Sequence, residues 1–307
     1  MDINDKNSCV FPADALILPP SDDRIFKTLL THPDAKQVLI DVIASAIERT
    51  IVDAQVRNTE LPVMDVNEKA ERFDVNCTID SGDQIDVEMH SCPQEELRLE
   101  PVNFINKYIY YLTDLHSSQE SKGKKYYELV RTYQITFCMN TVFPAQSEFV
   151  SRFSLRSENG RQLCDQINMV IIELDKLGAL LRKPVDRLTT FEKWSLFFKY
   201  APDPLHRTLI NDIIINREEI GMAASLLREI SKDERERAIQ RSRRMAETDR
   251  VSDLLTAEAR GELKGMAKGE LRGRAEGLVE GELKGKAEII ALLKKGLTLE
   301  EIENIVN

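Results

Sequence analysis

The chain has 307 residues; 42% of them are hydrophobic, 31% are charged, and the net charge at pH 7 is −10. The composition excludes a globally disordered chain, and the length allows one catalytic domain with additional structure. The acidic balance argues against a generally basic coat for nucleic acid, although contact with DNA needs only a local cationic surface.

The cysteines and the N-terminal sequence indicate the cellular compartment. The five cysteines are odd in number, widely spaced and without a CxxC pair, so they predict neither a disulfide framework nor a zinc ribbon. No apolar run approaches the roughly 20 residues of a membrane span. Residues 1–6 lack the basic and apolar regions of a signal peptide. We therefore expect a cytoplasmic protein that makes no membrane contact.

Two helices are predicted near the start of the chain. Ser21 or Asp22 can cap a first helix that begins near Asp23. Apolar residues recur at helical spacing across residues 35–49, which predicts a second helix. Residues 51–64 have a mixed pattern that fits a short strand or a loop.

A β-hairpin is predicted next. Apolar and polar residues alternate strictly in residues 73–79 and again in residues 85–90. Residues 80–83 between them, with the sequence DSGD, favour a turn. Two alternating segments joined by such a turn are typical of paired antiparallel strands.

The polar face of this hairpin carries the candidate catalytic residues. Because side chains alternate across a strand, Asp86, Glu88 and His90 share one face of the second strand. A three- or five-residue loop around Gly82 places Asp74 directly opposite Glu88 or His90. Either loop leaves the carboxylates of Asp74 and Glu88 within direct or diagonal reach.

Two neighbouring carboxylates predict a cation site. They repel each other unless a counter-charge is supplied, and a divalent cation supplies it. Carboxylate oxygens with several waters suit Mg²⁺, which polarises a phosphoryl oxygen and lowers the pKa of a bound water for in-line attack. Asp74 and Glu88 are therefore the predicted metal ligands. The alternative that the spacing alone leaves open is a solvated hairpin face with ordinary surface acids.

Further helices and one more strand are predicted towards the C-terminus. Pro101 can open a helix that reaches roughly Ser118. Residues 133–141 are rich in β-forming, largely apolar residues, as a central strand would be. Residues 162–182 and 187–230 are predicted as helices that prolines interrupt.

The last part of the chain is a low-complexity repeat. From Gly261 to Gly285 every fourth residue is glycine, and Glu, Lys, Arg, Ala and Leu fill most of the positions between. Each glycine lowers helix stability by roughly 1 kcal/mol relative to alanine. We expect a marginal, extended helix used for self-association, and the alternative is a flexible linker. Gly296 as a helix stop, followed by a capping box of Thr298 and Glu301, predicts a terminal helical hairpin.

Several short motifs follow one another along the chain. They are SDDRIFK at residues 21–27, RFDV at 72–75, IDVEM at 85–89, the tyrosines from Tyr108 to Tyr111, Ser118-Gln119, Gly123-x-x-Tyr126, Glu192-x-Trp194 and the glycine-repeat tail. In this order they resemble the Rpn family of recombination-promoting nucleases and transposases, bacterial proteins of the PD-(D/E)XK superfamily. The resemblance implies a restriction-endonuclease-like αβββαβ core with a mixed sheet. It also implies a magnesium-dependent endonuclease that acts on double-stranded DNA.

The third catalytic position departs from the superfamily pattern. The superfamily has Lys there and this family often has Gln, whereas this chain has His90. A histidine can donate a hydrogen bond, act as a base or ligate a metal, but it is not permanently charged. The resemblance implies catalytic roles for Asp74, Glu88 and His90, with His90 either a working substitute or a cause of weakened activity.

Six other residues are further candidates. Asp22 or Asp23 could add an acid to the metal site from the first helix, although Asp22 can equally serve as the helix cap. Four further side chains could approach DNA and are predicted to contact substrate. The alternative for each is an ordinary role on the surface, in a turn or in packing. These residues are Lys27, Lys107, Tyr111 and Gln119.

These predictions define an architecture and a leading function. We predict an α/β fold with a nuclease-like core in residues 1–160, a helical extension in 161–230 and a charged glycine-repeat tail in 231–307. The predicted function is that of a metal-dependent DNA endonuclease of the transposase or recombination-promoting type. One alternative is a catalytically impaired relative that oligomerises or binds DNA. The other is an unrelated α/β enzyme that binds a metal through the acids and the histidine of residues 86–90.

Overall fold

A computed structural model of the protein describes residues 10–57, 75–91, 101–119, 125–296 and 298. The chain divides into two compact units, Met1–Met245 and Ala246–Asn307. Among the described helices, none combines the length and the apolar character that crossing a membrane requires.

The first unit is built on a mixed β-sheet. The strands described in it are β1 (Ala54–Val56), β2 (Val75–Ile79), β3 (Gln84–His90), β4 (Thr132–Cys138), β5 (Val150–Ser154) and β6 (Ile167–Glu173). They are hydrogen-bonded in the order β1-β2-β3-β4-β6-β5. β3, β4 and β6 run parallel to one another, whereas β1 pairs antiparallel with β2, β2 with β3, and β5 with β6.

Helices surround this sheet and continue beyond it. The described α-helices are α1 (Asp23–Thr31), α2 (Lys36–Ile47), α3 (Pro101–Ser117), α4 (Thr190–Tyr200), α5 (Arg207–Asn216), α6 (Glu218–Lys232) and α7 (Glu234–Lys294). Short 3-10 helices occur at Pro33–Ala35, Tyr126–Glu128, Leu174–Arg182, Val185–Arg187 and Pro204–His206. The order of α2, β1, β2, β3, α3 and β4 confirms the predicted αβββαβ core, and β5 and β6 extend its sheet.

The predicted hairpin of β2 and β3 is confirmed. Val75 pairs with Val87, and the backbone NH of Ile79 donates a hydrogen bond to the carbonyl O of Asp83 over 3.1 Å. The loop therefore has three residues, the shorter of the two predicted lengths. Gly82 ends this loop with a φ of +85°, a left-handed conformation that residues with a side chain rarely adopt.

One apolar core joins a face of the sheet to α1, α2, α4, α5 and α6. Trp194 is fully buried in this core and stacks on Phe198, with 5.5 Å between the ring centroids. A charged group is also buried there: Asp41 accepts hydrogen bonds from Trp194 Nε1 at 2.8 Å and from Arg217 Nε at 3.2 Å. These bonds tie α2 to α4 and to the junction between α5 and α6.

The opposite face of the sheet is covered by α3. Phe104, Tyr108 and Leu112 of this helix form a second, smaller apolar cluster with Met169 and Ile171 of β6. Polar residues of β2, β3 and β4 lie on the same face, so α3 packs over a surface that is apolar at one side and polar at the other.

One predicted helix is wrong. Residues 162–182 contain β6 and a 3-10 helix rather than an α-helix. A strand in the interior of a sheet is a nearly continuous apolar run, and β6 has the sequence INMVIIE. Periodicity does not distinguish such a run from a buried helix. Because β6 pairs with β4, the sheet extends past residue 160 into the segment predicted as a helical extension.

The glycine repeat is helical, since it lies within α7. No described atom outside the helix backbone lies within 4 Å of the place where a Cβ of any repeat glycine would be. Apolar side chains of the repeat are exposed as well, among them Leu263 and Leu271, which are 68% and 72% exposed. Gly296, with a φ of +88°, donates its NH to Leu293 O over 3.0 Å, which confirms the predicted helix stop. The last helix of the predicted terminal hairpin lies outside the described residues, apart from Thr298.

Candidate active site

A polar stripe crosses three neighbouring strands on the sheet face that α3 covers. It consists of Asn76 and Thr78 on β2, Gln84, Asp86, Glu88 and His90 on β3, and Thr132, Gln134 and Thr136 on β4. The residues between them, such as Val87 and Ile135, face the apolar core, because side chains alternate along each strand. The alternation of apolar and polar residues along these strands therefore places one set of side chains in the core and the other set in the polar stripe.

Asp86 and Glu88 are almost completely buried in this stripe. Their exposed fractions are 0% and 3%. The register aligns Asp86 with Asn76 and Gln134, and it aligns Glu88 with Thr136. A buried carboxylate is stable only where hydrogen bonds, counter-charges or a metal replace the lost water. The polar residues of β2 and β4 beside these positions surround the two acids with groups that can form hydrogen bonds.

The charge of Asp86 also acts through the sheet. Cys77 on β2 points to the apolar core and is fully buried. Burial, and secondarily the negative charge of Asp86, raise the pKa of the Cys77 thiol to about 12. Cys77 is therefore a neutral thiol at pH 7 and belongs to the packing of the core.

Asp74, the first predicted metal ligand, lies outside the described residues. The pairing on its side of the hairpin is described as far as Val75, which lies opposite Val87. Within the described ranges, no three His, Cys, Asp or Glu residues are grouped closely enough to hold a metal ion. Asp86 and Glu88 do offer the carboxylate oxygens that hard divalent cations prefer, so the described part of the stripe fits such a cation in ligand type.

His90 lies at the end of β3 on the same face as Glu88. Its ring packs edge-on against Phe104 and Tyr108 of α3, with 4.8 and 5.9 Å between ring centroids. The Tyr108 hydroxyl lies 3.1 Å from His90 Nδ1, within hydrogen-bonding distance. Burial, and secondarily the positive charge of Lys107, lower the pKa of His90 to about 4. His90 is therefore neutral at pH 7 and does not supply the positive charge of a lysine.

Two predicted substrate-binding residues of α3 lie close to Tyr108, the residue beside this histidine. Lys107 Nζ is 4.9 Å from the ring centroid of Tyr108 and 5.3 Å from that of Tyr111. The Lys107 side chain is exposed, so its ammonium group stays in water while its charge acts on His90. The structure thus brings Lys107 near His90 and places Tyr111 beside Tyr108, with 6.1 Å between the ring centroids. Whether they contact DNA stays a prediction.

The acidic residues of α1 lie at the start of a helix on the opposite face of the sheet. Asp22 caps α1, because its Oδ1 accepts hydrogen bonds from two backbone NH groups of the first turn at 3.1 and 3.2 Å. Asp23 Oδ1 accepts one from the neighbouring NH at 2.8 Å. Phe26, in the same helix, packs against Phe137 near the end of β4. Lys27 is half-buried. A metal or substrate role for Asp22, Asp23 and Lys27 stays a prediction.

Gln119 holds the segment that leads into β4. Its Oε1 accepts a hydrogen bond from the Val130 NH at 2.8 Å, and its Nε2 donates to the Val130 carbonyl at 3.1 Å and to Thr132 Oγ1 at 2.9 Å. Glu88 is aligned with Thr136, four residues further along β4, so Gln119 lies at the other end of the polar stripe. These contacts are structural, and contact with substrate stays a prediction.

Sequence reasoning missed the polar residues of β4. The strand has the sequence TYQITFC, in which Thr132, Gln134 and Thr136 alternate with other residues. That alternation is the signal that could have identified them, although the β-forming content of the segment suggests a fully apolar central strand. The pairing of Tyr108 with His90 has no sequence signal, because 18 positions separate the two residues.

The comparison with protein families agrees with this architecture. Residues 20–257 match the family described as PD-(D/E)XK nuclease family transposase. The matched range includes every described strand, the helices α1 to α6 and the first part of α7. Comparisons with curated proteins and with solved structures gave no significant match. Since most of the chain fits the family, this protein belongs to the PD-(D/E)XK nuclease family transposases.

Proposed function

We propose that this protein is a divalent-metal-dependent endonuclease that cuts double-stranded DNA, with Asp74, Glu88 and His90 at its active site. The observation that carries the proposal is the position of Glu88. It is a buried carboxylate on the polar face of a hairpin strand, and this strand pairs in parallel with β4. Membership of a nuclease family supports the reaction class.

The hairpin register supports a role for Asp74. The described pairing ends with Val75 opposite Val87. Continued by one residue, the same register would align position 74 with Glu88, and the two carboxylates would be direct neighbours on the polar face. A three-residue loop is therefore consistent with the closer of the two predicted arrangements.

In this proposal the sheet fixes the position of the acids. Asp74 and Glu88 would hold the cation, which, when bound, supplies positive charge to a phosphoryl oxygen and lowers the pKa of a bound water. Burial of Glu88 restrains its carboxylate to one position, and α3 limits the access of bulk water to the stripe. Charge interactions with a phosphate are stronger in such a site than on an open surface.

His90 and Lys107 together would do what one lysine does at the third position of the superfamily motif. His90 is neutral and oriented by Tyr108, so it can exchange a hydrogen bond with a water or a phosphate oxygen. Lys107 supplies positive charge from α3 at the same end of β3. An exposed lysine on this helix can meet a phosphate of the DNA backbone.

Nicking of supercoiled plasmid by the full-length protein tests the proposal. We expect nicking with Mg²⁺ or Mn²⁺ and none in EDTA, and Ca²⁺ provides a further comparison. Asp74→Ala and Glu88→Gln should each lower the rate by about 100-fold or more, because each removes a negatively charged carboxylate from the cation site. Glu158→Gln, which removes an exposed loop carboxylate, is the matched control and should nick at the wild-type rate. Nicking that survives both active-site substitutions would refute the assignment.

The neutral charge of His90 favours a second function. A neutral histidine packed against aromatic rings lacks the positive charge of the superfamily lysine. Loss of this charge would weaken cleavage and leave a protein that binds DNA or oligomerises. The exposed apolar side chains of α7, such as Leu263 and Leu271, offer a surface for self-association. DNA binding in EDTA, without nicking in any of the metals, would favour this function over the endonuclease.

A further inference from the structure

Two consecutive tyrosines project from the chain just before β4. Tyr126 and Tyr127 are 82% and 76% exposed, and both lie in the 3-10 helix Tyr126–Glu128. Single exposed apolar residues are common on protein surfaces, whereas two consecutive aromatic residues exposed to this extent mark a candidate contact surface. We call Lys125, Tyr126 and Tyr127 the tyrosine turn.

The tyrosine turn is held by its own hydrogen bonds. The NH of Glu128 donates to the carbonyl O of Lys125 at 2.9 Å, and the NH of Leu129 donates to that of Tyr126 at 3.3 Å. The Glu128 carboxylate turns back and accepts a hydrogen bond from the Lys125 NH at 3.2 Å. The acidic group therefore caps the turn.

The segment that follows anchors the turn to the sheet. The Gln119 side chain bonds both the NH and the carbonyl of Val130. Arg131 Nε lies 2.5 Å from an Asp165 carboxylate oxygen, and its carbonyl accepts a hydrogen bond from the NH of Gln84 at 2.8 Å. A ligand that meets the two rings thus finds them on a fixed backbone, which lowers the entropy lost on binding.

The chemistry of the tyrosine turn fits nucleic acid. Lys125 Nζ lies 5.5 Å from the ring centroid of Tyr127, and residues 121–127 include three lysines and no acidic residue. Aromatic rings can stack on bases while neighbouring cations neutralise phosphates, and proteins hold single strands by this combination. We propose that Lys125, Tyr126 and Tyr127 form a binding site for unpaired nucleotides of DNA.

The ligand is unpaired because a ring can stack only on an accessible base face. In an intact duplex both faces of each base are covered by its neighbours, whereas a single strand, an end or a nick exposes them. The tyrosine turn precedes Thr132 at the start of β4, and Glu88 is aligned with Thr136. The site is therefore distinct from the proposed catalytic residues, and substitutions in it leave those residues in place.

This inference rests on the proposed function, because it names the form of DNA that the nuclease holds. Its test is nevertheless a binding measurement that needs no cleavage. The full-length protein is titrated in EDTA against three fluorescent ligands of equal length: an oligothymidine of about 12 nucleotides, a fully abasic strand, and a duplex closed by hairpin loops. Fluorescence anisotropy gives each dissociation constant.

We expect the double variant Tyr126→Ala/Tyr127→Ala to bind oligothymidine between about 5-fold and about 150-fold more weakly than the wild type. Its affinities for the fully abasic strand and for the duplex closed by hairpin loops away from the probe should change by no more than about twofold, since the first carries no bases and the second covers the faces of its paired bases. Tyr126→Phe/Tyr127→Phe keeps both rings and should bind as the wild type does. Lys125→Gln should weaken all three complexes and reduce their dependence on salt.

Leu205→Ala is the matched control, because Leu205 is 91% exposed on another 3-10 helix, Pro204–His206. It should bind all three ligands like the wild type, and circular dichroism should show that every variant is folded. The proposal is overturned if the double alanine variant retains its affinity for oligothymidine, if it loses affinity for all three ligands equally, or if the wild type binds no oligothymidine. Plasmid nicking that fails while the tyrosine effect is present would refute the endonuclease and leave the binding site standing.

Discussion

The Tyr108 hydroxyl lies 3.1 Å from His90 Nδ1, so a residue of α3 orients the third position of the proposed catalytic motif on β3. This contact influences which ring nitrogen carries the proton, and therefore whether the other nitrogen, Nε2, donates or accepts a hydrogen bond. Together with the packing of Phe104, it orients the His90 ring, while burial and the charge of Lys107 keep the ring neutral. Its contribution to catalysis should differ from that of a flexible, charged lysine.

Substitution of His90 measures this contribution. His90→Lys adds the superfamily's charge and should keep or raise the rate of plasmid nicking in Mg²⁺. His90→Ala should lower the rate by about 10-fold or more, as is typical when a group that positions a metal site is lost. Tyr108→Phe removes only the hydroxyl beside His90 and should cause a smaller loss. If all three variants nick at the wild-type rate, His90 is a bystander and the motif ends at Glu88.

The low pKa of His90 should make the stability of the protein depend on pH. A histidine in the unfolded chain titrates near 6.5, whereas His90 in the folded protein has a pKa of about 4. As pH falls, the unfolded state binds the proton first, so the stability present above pH 6.5 is lost between about 6.5 and 4.

Urea unfolding in EDTA at several pH values, for the wild type and His90→Gln, isolates this effect. The free energy of unfolding of the wild type should fall more steeply with decreasing pH, with the difference between the proteins changing by about 1–3 kcal/mol. Parallel pH profiles would contradict the prediction.

Asp41 should be the most sensitive acid of the apolar core. Asp41→Ala leaves the buried Trp194 indole NH without its acceptor, while Arg217 keeps its ion pair with Glu219, and we expect the free energy of unfolding to fall by about 2–3 kcal/mol. Asp175→Ala is the control, because it removes an exposed carboxylate that pairs with Lys199 and should cost about 1 kcal/mol or less. Trp194 is the single tryptophan of the chain, so its fluorescence reports unfolding directly. Equal effects of the two substitutions would argue against a buried network at Asp41.

Removal of the tail should change association and leave the first unit folded. The side chains of α7 are exposed along most of the repeat, and truncation near residue 250 should shift the melting temperature by no more than about 2 °C. Light scattering should show a lower mass than for the full-length protein. Gly265→Leu/Gly269→Leu keeps the length but blocks close approach of two helix backbones, so it should also dissociate the protein. Unchanged masses would make the tail a linker or a binding segment for another partner.

The local pattern of the sequence predicts the hairpin well because the alternation of the strands and the residues of the turn both indicate it. Alternation in residues 85–90 puts Glu88 and His90 on one face, and Gly82 supplies the left-handed residue that the tight loop needs. The helix cap at Asp22 is local in the same way, since the carboxylate bonds NH groups within three residues.

The local sequence pattern does not predict features that depend on contacts between distant parts of the chain. β6 is a strand because β4 and β5 flank it in the sheet, and neither neighbour is encoded in the apolar run itself. Likewise, the low pKa of His90 arises from burial under α3 and from the charge of Lys107. Tertiary packing determines both outcomes, so no window of residues around β6 or His90 contains the information.

The register of the hairpin constrains where this protein can accept an inserted residue. β3 is fixed on its other side by seven paired positions with β4. One residue inserted within β2 would reverse the faces of the residues on one side of it and move apolar side chains such as Val75 or Cys77 from the core to the polar face. A residue that stays in the loop leaves the register and both faces intact. Length variation should therefore be tolerated in the turn and not in the strands that it joins.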